Sequence, residues 1–295
     1  MDRIWWLLNL NARVLFHPVF VQMIPRPTQL NEAFQTLLNG FAKLEMLSSA
    51  IRSAALHEHQ RLQRNERELR EIGHEGLAIS VHSMSYRDIQ TNAPIFYDSR
   101  ERGVNDLTED LISYRNKQYQ WVLVEAFELF EDFVEYCYSE CIRMNPDGPT
   151  TKSKGDLTAK LKMLRTHLPN LGISETNNAR QINYRSAIAL VEMLRHIVVH
   201  NGGWIKDEAK FFEKLNWRVH KGNAGKHDSG IDNYAKFFLS KGRHGIEVYL
   251  LEEADKKPSS THTDRLSTLL GWLLTYSSCL KDHLSRVSSL SAERV

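Results

Sequence analysis

The stretch that decides the fold class is residues 121–141, WVLVEAFELFEDFVEYCYSEC. Apolar side chains recur in it at steps of four, three, four, three and four residues, namely Leu123, Phe127, Phe130, Val134, Cys137 and Cys141. This spacing follows the turn of an α-helix and predicts an amphipathic helix over residues 105–143, with Asn105 or Asp106 as its N-cap. Because one helix cannot cover such a stripe alone, the chain must pack it against other helices.

The same periodicity continues on both sides of this stretch. It predicts one long helix, or two in line, over residues 29–72, and further helices over residues 157–167, 175–200, 206–217 and 262–288. Residues 73–104 predict a loop-rich connection with room for one strand, and the alternation around Ile246, Val248 and Leu250 predicts a short strand. We therefore predict a mainly α protein, a helical bundle with extra N-terminal helices and one or two short strands.

The chain divides at two places. Residues 144–156, MNPDGPTTKSKGD, are typical of a linker, and residues 218–245 are polar and contain several glycines. We assign residues 1–104 to an N-terminal helical region, residues 105–220 to the bundle core and residues 221–295 to a C-terminal extension with a long final helix. Pro25 and Pro27 block a helix where they stand, and the residues before them are left open between a strand and a short helix.

The net charge, the cysteine content and the lack of a long apolar stretch limit the kinds of protein that this chain can be. The 295 residues carry a net charge of +2 at pH 7, so an anionic partner must be held by a local patch rather than by overall charge. The three cysteines are odd in number, and we interpret Cys137 and Cys141 as small core residues rather than metal ligands. We expect a soluble protein of a reducing compartment, the cytoplasm, with no membrane partner, because no stretch reaches the ~20 apolar residues of a span.

The segment that can carry chemistry is residues 192–203, EMLRHIVVHNGG. A polar cluster ends an apolar helix there, and Asn201, Gly202 and Gly203 are a helix stop signal. Arg195 and His200 are five residues apart, about 140° around an ideal helix, but the helix end leaves His200 free to turn towards Arg195. Histidine changes charge near neutral pH and suits acid–base catalysis, whereas the planar guanidinium of arginine suits a phosphate.

Two further sets of residues are assigned on chemistry. Four cations are candidates for contact with an RNA backbone, although a solvated surface explains them equally well: Lys160, Lys162, Arg165 and Arg185. Five scattered histidines lack the spacing of metal ligands, and we assign no metal to them: His220, His227, His244, His262 and His283.

A purely structural alternative also stands for the helix end at residues 192–203. In this alternative Glu192 pairs with Arg195, and His200 caps a helix carbonyl.

Residues 195–200, RHIVVH, resemble the Arg-x4–6-His motif of the HEPN superfamily, which includes many prokaryotic ribonuclease toxins and defence proteins. The polar residue after the arginine, here His196, and the Asn-x-Gly that follows the histidine, here residues 201–203, also match. The amphipathic helix at residues 121–141 suits the helix that packs against the motif in that family. The resemblance covers roughly residues 105–220 and implies an up-down helical bundle there.

The resemblance implies a metal-independent and cofactor-independent endoribonuclease. Arg195 and His200 would be catalytic, with His196, Asn201 and Glu192 in support, and the products would be a 2′,3′-cyclic phosphate and a 5′-hydroxyl. It also implies a homodimer with a composite site, a toxin or phage-defence setting and a neutralising antitoxin or regulatory protein. The alternatives are a non-catalytic helical module that binds RNA, a nucleotide or a protein, and a purely structural adaptor.

Overall fold

The structure is a computed structural model, and it describes residues 30–71, 73, 79–80, 85–96, 101–102, 104–144, 156–219, 229–242, 245–252 and 264–292. The eight helices of this part are α1 Leu30–Glu71, α2 Val104–Met144, α3 Leu157–His167, α4 Leu171–Thr176, α5 Tyr184–Asn201, α6 Glu208–Val219, α7 Ser229–Phe237 and α8 Arg265–Ala292. The predicted mainly α fold with a few short strands is confirmed. The prediction for residues 1–28 lies outside the described residues.

One hydrophobic core joins the long helices. Helix α2 packs against α1, α3, α5 and α8, and α8 also packs against α1, α5 and α4. Phe41 of α1, Phe130 of α2, Leu194 of α5 and Tyr276 of α8 all belong to the same buried cluster. Residues from each of the three predicted ranges of the chain therefore contribute to one core.

Helix α2 buries the stripe that its sequence predicts. Leu123, Phe130, Val134 and Cys137 are fully buried, and Phe127 and Cys141 nearly so. The prediction of its N-cap was wrong, because the helix begins at Val104. Asp106 lies in the first turn instead, where a carboxylate favours the positive end of the helix dipole.

The start of the predicted helix over residues 175–200 was also wrong. A short helix, α4, ends at Thr176, and α5 begins only at Tyr184. Gln181 between them has a left-handed φ of 54°, which a continuous helix cannot contain. The side chain of Asn183 then accepts a hydrogen bond from the Ser186 N–H at 3.2 Å, which is the N-cap of α5.

Helix α7 lies in a segment predicted to be polar and irregular. Ile231 and Ala235, one turn apart, are buried, and they provide the helix with its core contact. Three strands then form a small antiparallel sheet in the order β5-β7-β6, where β5 is Trp204–Ile205, β6 is Leu239–Gly242 and β7 is Gly245–Val248. The strand predicted around Ile246 is thus confirmed.

The described residues between 79 and 102 form four short strands, whereas the sequence predicts at most one strand in this connection. β1 Ile79–Ser80 pairs with β4 Glu101–Arg102, and inside this pair β2 Ser85–Arg87 pairs with β3 Pro94–Phe96. Both pairs are antiparallel, and two or three residues per strand are too few to show alternation in the sequence.

The cysteines behave as core residues. Burial raises the pKa of the Cys141 thiol to about 12 and raises that of Cys137 as well. Both side chains therefore stay uncharged and act as small apolar groups. No helix in the described part of the chain is both long enough and apolar enough to cross a bilayer.

Candidate functional site

The candidate site lies on the solvent face of α5. With 100° between successive residues, five side chains fall within an arc of about 140° on this helix, and they are Glu192, Arg195, His196, Val199 and His200. His196, Val199 and His200 are exposed, and Arg195 and Glu192 are half-buried. The structure thus brings the predicted catalytic and supporting residues onto one face, with Asn201 exposed at its end.

The end of α5 is fixed by a double-glycine turn. Gly202 is left-handed, and the Gly203 N–H donates to the Ile197 carbonyl at 3.1 Å. The Gly203 carbonyl then accepts from the Val248 N–H at 2.9 Å, which joins the helix end to the three-stranded sheet. His200 therefore stands on an ordered last turn.

Helix α2 holds this turn from the other side. The side-chain amides of Asn116 and Gln120 both donate to the Val248 carbonyl, at 2.9 and 2.6 Å, and Asn116 Oδ1 accepts from the Leu250 N–H at 2.8 Å. Both amides are buried, so their hydrogen bonds are needed to offset desolvation. No spacing in the sequence indicates these long-range partners.

Lys117 completes the C-terminal cap of α5. Its ammonium group donates to the Gly202 carbonyl and lies 5.0 Å from the centre of the Trp204 ring. A cation at this end is favoured by the partial negative charge of the last carbonyls. Burial lowers the pKa of Lys117, while Glu247 opposes that effect. The prediction missed Lys117, which lies 85 positions before its acceptor.

Arg195 points towards α2. Its Nη2 lies 3.7 Å from Oε1 of Glu128, and its Cζ lies 5.8 Å from the centre of the Phe127 ring. Its buried Nε has no hydrogen-bond acceptor among the described residues. A partly solvated pair at this long distance contributes little, roughly 0–1 kcal/mol, so an anion can displace Glu128 at small cost.

His196 and His200 lie in direct contact. Their ring centroids are 4.4 Å apart with a tilt of 49° between the planes. Burial lowers the pKa of His196 most, and the positive charges of His200, Lys214, Arg218 and Arg195 lower it further. His196 is therefore favoured in its neutral form, with a lone pair available.

The structural alternative for this helix end was wrong in its pairing. Glu192 forms its ion pair with Arg218 of α6 at 2.8 Å, not with Arg195. The exposed position of His200 also differs from the buried, fully paired arrangement that a purely structural role predicts. The candidate site is therefore a solvent-facing cluster of basic side chains at the junction of α5 and α6.

The predicted RNA-backbone cations have different environments. Lys162 and Arg185 are exposed. Lys160 pairs with Glu135, and only 17% of its side chain is accessible. Arg165 donates from Nε to the buried carboxylate of Glu175 at 2.8 and 2.9 Å.

An acidic row on α2 separates Arg195 from Lys160. It consists of Glu125, Glu128, Glu131, Asp132 and Glu135. Burial raises the pKa of Glu131, and the charges of Arg195 and Lys160 counteract that rise from either side. The negative charge of this row repels anions. The cations Lys214 and Arg218 of α6, which the prediction missed, lie on the other side of the site.

A cavity of about 170 Å³ lies at the opposite end of α5, lined in part by Asn183, Ser186, Tyr234 and Trp272. From Ser186 to His200 the helix rises about 21 Å. The cavity is therefore separate from the histidine pair.

The described residues contain no cluster of three or more histidine, cysteine, aspartate or glutamate side chains suited to a metal ion. Comparisons of the chain with protein-family models, with curated proteins and with solved structures found no match.

Proposed function

We propose that the protein is a metal-independent endoribonuclease of the HEPN type. The observation that supports this most directly is the shared solvent face of α5, on which Arg195, His196 and His200 stand together at an ordered helix end. A fixed guanidinium and titratable imidazoles are the groups that phosphodiester transfer requires when no metal takes part.

In the proposed reaction, His200 acts as the general acid–base. A neutral imidazole takes the proton of the RNA 2′-hydroxyl, the 2′-oxygen attacks the adjacent phosphorus, and the bond from phosphorus to the 5′-oxygen breaks. An imidazolium returns a proton to the leaving 5′-oxygen. The products are a 2′,3′-cyclic phosphate and a 5′-hydroxyl, and Arg195 stabilises the charge of the pentacoordinate transition state.

Two arrangements supply the second imidazole. In the HEPN arrangement, a two-fold axis brings His200 of two protomers to one cleft, which makes a homodimer the active species. Within one chain, however, His196 lies only 4.4 Å from His200, and its lowered pKa suits it to act as a base. We favour the homodimer. It predicts that specific activity falls on dilution below the dimer dissociation constant, because the composite site is then lost.

The setting follows from the family resemblance. We propose a cytoplasmic enzyme that acts on RNA in a toxin or phage-defence system, with an antitoxin or regulatory protein that covers the α5–α6 face. Asn201 and His196 orient the catalytic pair, and Glu192 holds Arg218 at the edge of the site. No cofactor is required for this chemistry.

The test is cleavage of total RNA by the purified protein in EDTA. We expect the wild type to produce 2′,3′-cyclic phosphate ends and Arg195→Ala and His200→Ala to abolish them with unchanged helix content. Lys210→Ala, an exposed cation on α6 that pairs with Asp207, is the matched control and should retain activity. Cleavage at the wild-type rate by either site variant would falsify the proposal.

A non-catalytic RNA-binding or protein-interaction module is the second candidate. It is favoured by one observation, which is that Glu128 already lies beside the guanidinium of Arg195. In that case the wild type binds RNA in EDTA without cleaving it, and Arg195→Ala weakens binding without changing the products.

A further inference from the structure

The contact between His196 and His200 also has the geometry of a pair of metal ligands. The two residues are one helical turn apart, in the His-x3-His spacing with which helices present two ligands to one metal ion. Two imidazoles that each place a nitrogen about 2.1 Å from one tetrahedral zinc ion have ring centroids roughly 5 Å apart. The observed separation of 4.4 Å is close to that value, so a rotamer adjustment suffices for chelation.

We propose that His196 and His200 form a two-histidine binding site for a first-row divalent transition metal ion, with zinc as its representative. Water occupies the remaining coordination positions. The two rings stand on a helix whose end is held by Lys117 and by the Gly203 turn, so the backbone that carries both ligands is ordered. The sequence predicts an acid–base role for His200 and a supporting role for His196, and neither role involves a metal.

The type of metal follows from the ligands. Imidazole nitrogen suits zinc, nickel and copper, whereas magnesium and calcium prefer oxygen ligands. Since no third histidine, cysteine or carboxylate in the described residues completes a cluster, the site is open. An open site exchanges its ion more readily than a closed structural one.

The surrounding charges include some that favour metal binding at His196 and His200 and some that oppose it. The carbonyl end of α5 attracts a cation, and the neutral form of His196 that its environment favours is the form that binds a metal. Of the nearby cations, Arg218 is paired with Glu192 and Arg195 lies beside Glu128. Lys214 is therefore the main repulsive charge, and its removal should strengthen metal binding.

The experiment is calorimetric titration of the purified full chain with zinc chloride in a buffer that does not chelate zinc. We expect one ion per chain for the wild type. His196→Gln and His200→Gln should each weaken binding by at least about tenfold, which is the smallest loss expected even for a residue that only orients a metal ligand. His57→Gln, an exposed histidine on α1, is the matched control and should bind zinc as the wild type does.

Two further measurements make the test specific. Lys214→Ala should bind zinc more tightly than the wild type, a gain that no loss of folding can mimic. Magnesium chloride should give no binding heat that depends on either histidine. Equal zinc affinity in the wild type, His196→Gln and His200→Gln would overturn the site, with far-UV circular dichroism showing that all three chains are folded.

This site does not depend on the proposed ribonuclease activity. Zinc binding is measured without RNA, and RNA cleavage is measured in EDTA without zinc. Loss of zinc binding in both histidine variants supports the site whether or not the protein cleaves RNA. If the wild type cleaves RNA but His196→Gln and His200→Gln bind zinc as tightly as the wild type, the zinc site is overturned and the nuclease proposal stands.

Discussion

Gly203 packs directly against the side chain of Gln120. A Cβ atom placed on Gly203 would lie 2.5 Å from Oε1 and 2.6 Å from Nε2 of Gln120, and Gln120 cannot retreat because it donates to the Val248 carbonyl. Gly203 also has a φ of 86°, which side chains rarely adopt. The double glycine that contributes to the HEPN resemblance thus has a steric requirement of its own.

The first prediction concerns this contact. Gly203→Ala should destabilise the protein by about 2–4 kcal/mol, because it adds left-handed strain to overpacking. The free energy of unfolding in urea is the measurement. Gly271→Ala is the matched control, since nothing lies within 4 Å of its Cβ position in α8, and it should leave stability unchanged or raise it by up to about 1 kcal/mol. Equal midpoints for Gly203→Ala and wild type would contradict the packing described.

The second prediction tests whether Arg165 stabilises the core or contacts RNA. Glu175 is 1% exposed, and it accepts hydrogen bonds from Arg165 and, at 2.5 Å, from the Tyr276 hydroxyl. Arg165→Ala leaves this carboxylate buried without its partner and should cost about 3–5 kcal/mol of unfolding free energy.

Arg143→Ala is the control for that experiment. Arg143 pairs with Glu140 on the surface of α2, where the ion pair is solvated, so its loss should leave the urea midpoint unchanged. If Arg165→Ala is as stable as Arg143→Ala but binds RNA less tightly, Arg165 contacts RNA rather than supporting the core.

The third prediction is the titration of His196, followed by its ring proton shifts in NMR. Burial and the neighbouring cations lower its pKa below the ordinary 6.5, and Lys214→Ala should shift it upward. Lys210→Ala, on the same helix, should not. Because the folded chain binds this proton less readily than the unfolded chain, His196 favours folding above about pH 6.5. That contribution is lost as the pH falls towards the lowered pKa.

The parts of the fold that the sequence predicts are those with long periodic patterns. Helix α2 is recognised over its whole length because its stripe repeats for five steps. The start of α5 is not, because it depends on a left-handed Gln181 and on the Asn183 cap, and no periodic pattern shows either of them. Helix α7 has only nine residues, too few for its pattern to stand out.

Prediction of the candidate site from the sequence is limited in the same way. Arg195, His196 and His200 lie close together in the sequence, so their place at one helix end can be predicted. The separation of about 140° between Arg195 and His200 does not by itself predict a narrow common face. The groups that set their charge environment, Glu128 and Lys214, come from other helices. Such partners are determined by tertiary packing, which one sequence without an alignment does not reveal.

The fourth prediction concerns the path of RNA across the site. On one side of Arg195 the acidic row of α2 repels phosphates, and Lys160 beyond it is neutralised by Glu135. On the other side Lys214 is exposed and adds to the positive field around His196. The strand should therefore cross α5 towards α6.

The measurement for this path is the dependence of RNA affinity on salt concentration. Each phosphate contact with a single strand contributes a slope of about 0.7 in log affinity against log salt. Lys214→Ala should reduce the slope by about that amount and weaken binding of all sequences alike, because a lysine contact to phosphate carries no base information. Lys160→Ala, the matched loss of one lysine, should change neither. If Lys160→Ala reduced the slope and Lys214→Ala did not, RNA would instead run along the α2–α3 side, across the acidic row.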